Sequence, residues 1–214
     1  MESLLGEVCD VCRRLHGRNL LAGADGNVSV RLEDGTIAIT PSGVAKNRMA
    51  IGDLALLDPG GAVLRGRPST ERLMHLAVYR ACPEARAVVH AHPPTAIALS
   101  LARPDWTALP RGVLPEVVLA CGEVPLVPYA RPGTGAMGDV LLPFLPERRL
   151  MILSRHGALA WGEDLEEAYR GLERVEHVCQ ILMAALLLGG PVPLPPEEVQ
   201  ALREARARIG RRLL

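Results

Sequence analysis

Two short runs of alternating residues constrain the fold of this chain more than any other feature. The runs NVSVR (27–31) and TIAIT (36–40) alternate apolar with small or polar residues, and Glu33-Asp34-Gly35 separates them. A period of two is typical of β-strands, and an acidic, glycine-containing turn between two such runs predicts a β-hairpin. Because a hairpin joins antiparallel strands, the predicted sheet cannot be purely parallel.

Helical patterns alternate with strand patterns along the rest of the 214 residues. Apolar residues recur every three or four positions in the predicted helices, whereas the predicted strands are rich in β-branched residues. We therefore predict a single α/β domain over residues 1–214, with helices packed on a mixed or antiparallel sheet. The predicted helices cover 2–16, the segment from a cap at Ser69 or Thr70 to about 81, 134–145 and 164–188, and further predicted strands cover 54–57, ARAVVHAH and RLMILS.

The charge balance excludes several classes of protein. Lysine and arginine together number 24 and acidic residues number 24, so the chain lacks the basic excess that a nucleic-acid surface needs. The longest strongly apolar stretch, 181–188, is too short to span a bilayer. Glu2 and Glu7 lie where an export signal carries positive charge. We expect a cytoplasmic protein with reduced cysteines and with no membrane or nucleic-acid partner.

Three of the six histidines stand where they could bind a metal ion. His90 and His92 are two residues apart on a predicted strand, so their side chains project from the same face, and Pro93-Pro94 ends the strand there. Taken alone, this pair is better explained by ordinary hydrogen bonds. His156 favours the metal, because it lies in a turn after another predicted strand and Gly157 permits close approach. A site with three histidines leaves a zinc position open for substrate.

The segment Pro68-Ser69-Thr70-Glu71 suggests a second functional feature. Free N–H groups and the dipole at a helix start suit a phosphate, although capping of the helix alone would also explain Ser69 and Thr70. The same dipole would keep Glu71 ionised, as a general base must be. The loops GADGN and TPSG also consist of residues that bind anions through backbone N–H groups. In combination these segments suggest a phosphate-binding cradle.

The chain contains one lysine, Lys46, in a predicted polar loop that follows a glycine. A lysine nucleophile needs an apolar or cationic surrounding that lowers its pKa. We therefore expect a mechanism without a covalent imine.

Taken in order, the segments GADGNVSVR, ITPSG, RPSTE, HAH and RHG resemble motifs of the class II aldolase/adducin family, and the similarity extends over about 4–188. Within the family they look most like the L-fuculose-1-phosphate aldolases. The resemblance implies a three-layer α/β/α subunit with a central mixed, largely antiparallel sheet. It also implies one Zn²⁺ per subunit, or another divalent metal, and a homotetramer with the active site near the subunit interface.

The resemblance further assigns roles to individual residues. His90, His92 and His156 match the metal ligands, and Glu71 matches the residue that also approaches the metal and acts as base. The implied reaction is reversible cleavage of a ketose 1-phosphate, similar to L-fuculose 1-phosphate, into dihydroxyacetone phosphate and an aldehyde through a zinc-stabilised enediolate. The substrate-phosphate site matches Asn27, Ser42, Gly43, Ser69 and Thr70.

Three features depart from the family pattern. The first loop has Ala24-Asp25 where a threonine with serine or alanine is common, and Arg155 stands in place of asparagine. The C-terminal tail carries no tyrosine. These departures leave the proton donor open, and Glu116 is a candidate acid or base.

Three alternatives remain within the family. Methylthioribulose-1-phosphate dehydratases use a glutamate in the loop where Glu116 lies, and their reaction also begins beside a metal-polarised carbonyl. Ribulose-5-phosphate 4-epimerases look different at the position of Glu71, where an aspartate is expected. Adducin head domains keep the fold as non-enzymatic modules but lack the metal ligands, which this chain retains.

Overall fold

The structure is a computed structural model that describes residues 2–214, and its centre is a sheet of eight strands. The strands are β1 (Asn27–Arg31), β2 (Ile37–Ile39), β3 (Ala55–Leu57), β4 (Val63–Arg65), β5 (Ala87–Ala91), β6 (Leu126–Val127), β7 (Leu150–Leu153) and β8 (Gly157–Gly162). They are ordered β4-β3-β2-β1-β5-β8-β7-β6. Only β6 and β7 pair in parallel, so the sheet is mixed and largely antiparallel, as predicted.

Helices cover both faces of this sheet. The α-helices among the described residues are α1 (Glu2–Gly17), α2 (Arg72–Ala81), α3 (Pro94–Ala102), α4 (Ala136–Asp139), α5 (Leu165–Leu187) and α6 (Pro196–Ile209). One buried core joins α1, α3 and α5 to the sheet, and a second core joins α2 and α4 to the opposite face. The predicted three-layer α/β/α arrangement is therefore confirmed. No helix within residues 2–214 is both long enough and apolar enough to cross a membrane.

Local sequence signals account for most element boundaries. The predicted hairpin forms between β1 and β2, where Ser29 pairs with Ile39. The side chain of Asp164 accepts the N–H of Glu167 at 2.8 Å and so caps the start of α5. The helix predicted over 134–145 is shorter, because it ends at Asp139 and continues only as a 3₁₀ turn that contains Pro143.

The central strand β5 defines the edge where the candidate site lies. In β5, Val89 belongs to the core on the α5 side, whereas Val88 belongs to the core on the α2 side. Because side chains alternate along a strand, His90 faces the α2 side as well. His90 pairs with Asn27 of β1 and with Leu159 of β8. The beginnings of β1 and β8 therefore lie beside the end of β5.

Candidate metal centre

The three histidines predicted as metal ligands converge at this edge. The Nε2 atom of His90 lies 3.1 Å from Nε2 of His92 and 3.1 Å from Nε2 of His156. All three offer ligand atoms within 4.8 Å of one another. Nitrogen ligands at about 2.0–2.1 Å from a tetrahedral zinc would lie about 3.3 Å apart, so the observed spacing fits a shared divalent ion.

The protonation of His90 also fits metal binding. Its Nδ1–H donates to the carbonyl oxygen of Ala158 at 2.9 Å, which leaves the lone pair of Nε2 free to face the other histidines. Burial lowers the pKa of His90 to about 3, and burial also lowers the pKa of His92. Both imidazoles are therefore neutral near pH 7, which is the form that binds a metal.

Two glycines allow the histidine-bearing segments to approach one another. A Cβ atom on Gly157 would overlap the carbonyl oxygen of Ala91 and lie 2.8 Å from Cε1 of His90. Gly26 has a φ of +66°, and a Cβ atom there would lie 2.8 Å from the carbonyl oxygen of His90. The close approach expected at Gly157 from the sequence is thus present, and Gly26 provides a similar one.

Glu71 directs its carboxylate at the histidine cluster from the start of α2. Its Oε1 lies 3.0 Å from Nε2 of His156, and its Oε2 lies 3.4 Å from Nε2 of His90. Burial alone would raise the pKa of Glu71, but the contacts with His156 and His90 and a hydrogen bond from Asn27 outweigh it, so the pKa lies below its usual range. The carboxylate is therefore ionised and available as a fourth ligand or a base.

Asn27 belongs to a buried chain of hydrogen bonds that sequence reasoning missed. Its Nδ2 donates to Oε2 of Glu71 at 2.7 Å, and its Oδ1 contacts Nε2 of His75. Ser29 Oγ then contacts Nδ1 of His75 at 2.7 Å and the hydroxyl of Tyr79 at 2.9 Å. The available signal was the four-residue spacing of Glu71, His75 and Tyr79 on a helix, facing polar residues on alternate positions of a strand.

The loops of the proposed phosphate cradle are joined by backbone contacts. Ser42 N donates to the carbonyl of Arg67 at 3.1 Å, and Ser69 N donates to the carbonyl of Thr40 at 3.1 Å. Ser69 Oγ also accepts the N–H of Glu71 at 3.2 Å, so this hydroxyl does contribute to the helix start. The segment that carries Ser42 and Gly43 is therefore paired with the segment that carries Ser69 and Thr70.

Free donors remain in these joined loops. Within the described chain, neither the N–H of Gly43 nor that of Thr70 has an intramolecular acceptor. Gly43 and Thr70 are exposed, so both donors are open to a ligand. Asn27 differs, because its amide is already bonded to Glu71 and has only its second N–H left.

Lys46 lies beneath two of these loops and not in an open polar loop. Its side chain is only 1% exposed, and its ammonium donates to the carbonyl oxygens of Ala24 at 2.9 Å, Pro41 at 3.1 Å and Val44 at 2.9 Å. All three N–H donors are therefore used to hold GADGN against TPSG. Burial lowers the pKa of Lys46 below its ordinary value.

The remaining candidate residues lie further from the metal ligands or at their margin. Asp25 Oδ2 lies 3.6 Å from Nδ1 of His92, so the unusual acidic residue of the first loop neighbours a ligand. Arg155 has a φ of +64°, and its backbone N–H donates to Ser100 Oγ at 2.9 Å. Glu116 is exposed, and no hydrogen bond or ion pair among residues 2–214 joins it to the histidines.

Comparison with known proteins shows the family to which the chain belongs. The sequence profile described as the Class II Aldolase and Adducin N-terminal domain matches residues 6–183. The 3-oxo-tetronate 4-phosphate decarboxylase of Escherichia coli (strain K12) is 34% identical over 183 residues, which cover 85% of this chain and 86% of that protein. The L-fuculose phosphate aldolase of the same strain is 31% identical over 214 residues, which cover 98% of this chain and 97% of that protein.

A solved structure shares the whole fold. YgbL from Escherichia coli superposes with a TM-score of 0.87 at 32% identity, over 94% of this chain and 98% of that chain. The family prediction is confirmed, whereas similarity to a decarboxylase was not anticipated from the motifs. The chain belongs to the class II aldolase and adducin family.

Proposed function

We propose that this protein is a metal-dependent lyase that reversibly cleaves a ketose 1-phosphate, similar to L-fuculose 1-phosphate, into dihydroxyacetone phosphate and an aldehyde. The observation that carries the proposal is the position of Glu71, whose carboxylate lies 3.0 Å from His156 and beside the joined loops. We propose that the base, the metal ligands and the anion donors act on one bound substrate. Zinc is the cofactor that we propose, because three imidazoles with a carboxylate suit it.

Each group has a defined task in the cleavage direction. The N–H groups of Gly43 and Thr70, at the loops and the start of α2, would hold the phosphate and orient the sugar. The bound metal would supply a Lewis acid that polarises the ketone and stabilises the enediolate. When the C3–C4 bond breaks, its electron pair stays on C3, and the C4 hydroxyl forms the aldehyde by giving its proton to the ionised carboxylate of Glu71. Glu71 then delivers that proton to C3, and condensation reverses both transfers.

The decarboxylase relatives support a second candidate reaction. The substrate named for them, 3-oxo-tetronate 4-phosphate, carries a carboxylate one carbon away from a ketone. Loss of carbon dioxide would leave the electron pair beside that ketone and give an enediolate, which takes a proton at the same carbon. The product is again dihydroxyacetone phosphate. The same Glu71 and the same loops would therefore serve either reaction.

Other members of the family receive less support from the site. A dehydratase would need Glu116, which is exposed and forms no hydrogen bond or ion pair with the histidines among residues 2–214. An adducin-like interaction module has no use for a cluster of three histidines beside an ionised carboxylate. The five cysteines are all free, which suits the reducing cytoplasm that we propose as its location.

Turnover of two substrates would decide between the reactions. Zinc-loaded protein is incubated with L-fuculose 1-phosphate or 3-oxo-tetronate 4-phosphate, and dihydroxyacetone phosphate and carbon dioxide are measured. We expect cleavage of the first substrate, lost in Glu71→Gln and His92→Ala. The exposed His177 provides the matched control, and His177→Ala should keep full activity. Turnover of only the second substrate would replace aldol cleavage by decarboxylation, and turnover of neither would reject both.

A further inference from the structure

Four polar side chains are buried between β1 and α2, and the proposed reaction does not use most of them. Asn27 is 2% exposed, Ser29 0%, His75 1% and Tyr79 5%. Burial of a polar group is unfavourable unless its hydrogen bonds are satisfied. All four are linked in one chain that ends on Glu71. This arrangement calls for an explanation beyond packing.

The spacing of residues along β1 and along α2 allows this chain of hydrogen bonds to form. Two residues along a strand advance about 6.7 Å, so Asn27 and Ser29 project from the same face at that spacing. Four residues along a helix advance about 6.0 Å, which matches the spacing of Glu71, His75 and Tyr79. Each side chain on β1 can therefore lie between two successive side chains on α2.

The donors and acceptors of the chain point in one direction only. A carboxylate can only accept, so the Nδ2 group of Asn27 must face Oε2 of Glu71, at 2.7 Å. The Oδ1 atom of Asn27 then faces Nε2 of His75. Because Oδ1 can only accept, Nε2 must carry a proton and donate it to Oδ1. A flipped amide would place two oxygens against each other and is excluded.

The rest of the chain follows from the tautomer of His75. Burial lowers the pKa of His75 to about 4, so the ring is neutral near pH 7. With its proton on Nε2, Nδ1 is an acceptor, and it receives the hydroxyl proton of Ser29 at 2.7 Å. Ser29 Oγ in turn accepts from the hydroxyl of Tyr79 at 2.9 Å. Such a directed chain is polarised cooperatively towards Glu71.

We propose that His75 is a positioning residue that orients Asn27. The Asn27 amide then binds Oε2 of Glu71, so that Oε1 stays available for the metal and for the transferred proton. Oε1 is the oxygen that lies 3.0 Å from the ligand His156. The carboxylate cannot rotate without breaking the hydrogen bond to Asn27. The role in proton transfer rests on the proposed function, whereas the orientation of Glu71 does not.

The tautomer of His75 can be measured without metal or substrate. Long-range ¹⁵N–¹H correlation spectra of histidine-labelled protein at pH 7 should show one neutral imidazole with its proton on Nε2, and its signals should vanish in His75→Gln. A protonated ring, or a proton on Nδ1, would overturn the proposal. The tautomer is read in the wild-type protein, and the variant serves only to assign the signals.

The orientation of Glu71 can be read from the visible absorption of cobalt-loaded protein. We expect Glu71→Gln to change the cobalt spectrum and His75→Phe to change it in the same way, because the carboxylate is no longer held. His75→Gln, which keeps one donor and one acceptor, should restore much of the wild-type spectrum. His177→Phe is the control and should leave it unchanged. A wild-type spectrum for a folded His75→Phe would contradict the proposal.

Kinetics separate this inference from the proposed function. If the wild type turns over either substrate, His75→Phe should lower kcat by about 10–100-fold, the range typical for groups behind metal ligands, with KM little changed. A raised KM with unchanged kcat would overturn the positioning role. If the wild type turns over neither substrate, the proposed reactions fail, and the tautomer and the cobalt spectrum still decide the inference.

Discussion

At the scale of single residues, the buried ring of His75 couples folding to pH. Its pKa is lowered to about 4 from 6.5, so between these values the unfolded chain binds a proton that the folded chain does not. Stability is therefore lost as pH falls through this window, by about 2–3 kcal/mol at pH 4.5. Urea unfolding at pH 7 and pH 4.5 should show this loss in the wild type and a smaller loss in His75→Gln. Equal losses in both would contradict it.

We expect Lys46 to strengthen the binding of an anion at the joined loops. Its ammonium is bonded to Ala24, Pro41 and Val44, and among the described residues it forms no ion pair with a carboxylate. A buried cation without a counter-ion favours the binding of a nearby anion. We expect Lys46→Met to weaken the binding of inorganic phosphate about tenfold, or about 1.4 kcal/mol, by calorimetry. Arg48→Met, which removes an exposed cation from the same turn, is the control.

Two outcomes would contradict the prediction for Lys46. Unchanged phosphate affinity in Lys46→Met would remove the residue from the anion site. An equal loss in Arg48→Met would show that only the total charge matters. Zinc affinity should stay unchanged in both variants, since neither residue contacts the histidines.

The convergence of the three candidate metal ligands was predictable from the sequence, whereas the hydrogen-bonded chain behind them was not. His90 and His92 are two apart on a recognisable strand, so their common face follows from the strand period. His75 showed only a helix with apolar neighbours. Its partners Asn27 and Ser29 are 48 and 46 residues away in the sequence. Nothing local indicates that these positions meet.

At the scale of elements, Glu176 links α5 to the start of α3, close to the candidate ligand His92. Its buried carboxylate on α5 accepts the N–H of Thr95 at 3.0 Å and of Ala96 at 3.2 Å. These donors belong to the first turn of α3, which follows His92 directly. We expect Glu176→Ala to destabilise the protein by about 1–3 kcal/mol and to weaken zinc binding. Glu176→Gln should lose less, because its amide oxygen still accepts.

Thermal unfolding and competition with a zinc chelator would measure these effects. His177→Ala, one residue further along α5 and exposed, is the control and should match the wild type. Normal zinc affinity in a destabilised Glu176→Ala would restrict the role of Glu176 to capping.

Elements set by local signals were predicted better than those set by packing. The hairpin β1–β2 and the start of α5 depend on neighbouring residues, and both form as expected. The segment Val117–Cys121 forms a π-helix that contacts α5 and α6. Its form depends on those distant partners, and the proline-rich sequence around it suggests only short strand-like pieces.

At the scale of the whole molecule, both cores share a single sheet. One core includes Val89 and the other includes Val88, although these residues are adjacent on β5. Neither core can lose its packing without affecting the strand between them. We expect one cooperative unfolding transition, with coincident curves from circular dichroism and tryptophan fluorescence. Two separate transitions would contradict the single domain that we propose over residues 1–214.

Exposed apolar residues support the proposed homotetramer. Leu187, Leu188 and Val192 are 83%, 88% and 85% exposed, and Tyr129 is 58% exposed. Apolar surface of this kind is typical of interfaces between subunits. Light scattering during gel filtration should give four times the subunit mass of 23.0 kDa, about 92 kDa. Leu188→Glu should shift the mass towards smaller species, and a fully active 23.0 kDa monomer would exclude the tetramer.

The sequence by itself determined most of the strands, the main helices, the three metal-binding candidates and the family. The elements and the candidates follow from periodicity and from local turns, and the family follows from motifs in a set order. The position of Glu71 at a helix start was also visible in this way.

Only the tertiary structure decided which groups surround Glu71. Asn27, His75 and Lys46 acquire their contacts because β1, α2 and the loop after β2 meet in space. The hydrogen-bond direction in the buried chain depends on the geometry of those contacts and on the exclusion of water. Some side chains are distant in the sequence and form their hydrogen bonds only when they are buried together. Such pairs leave no periodic pattern in the sequence, so their contacts can be seen only in the folded structure.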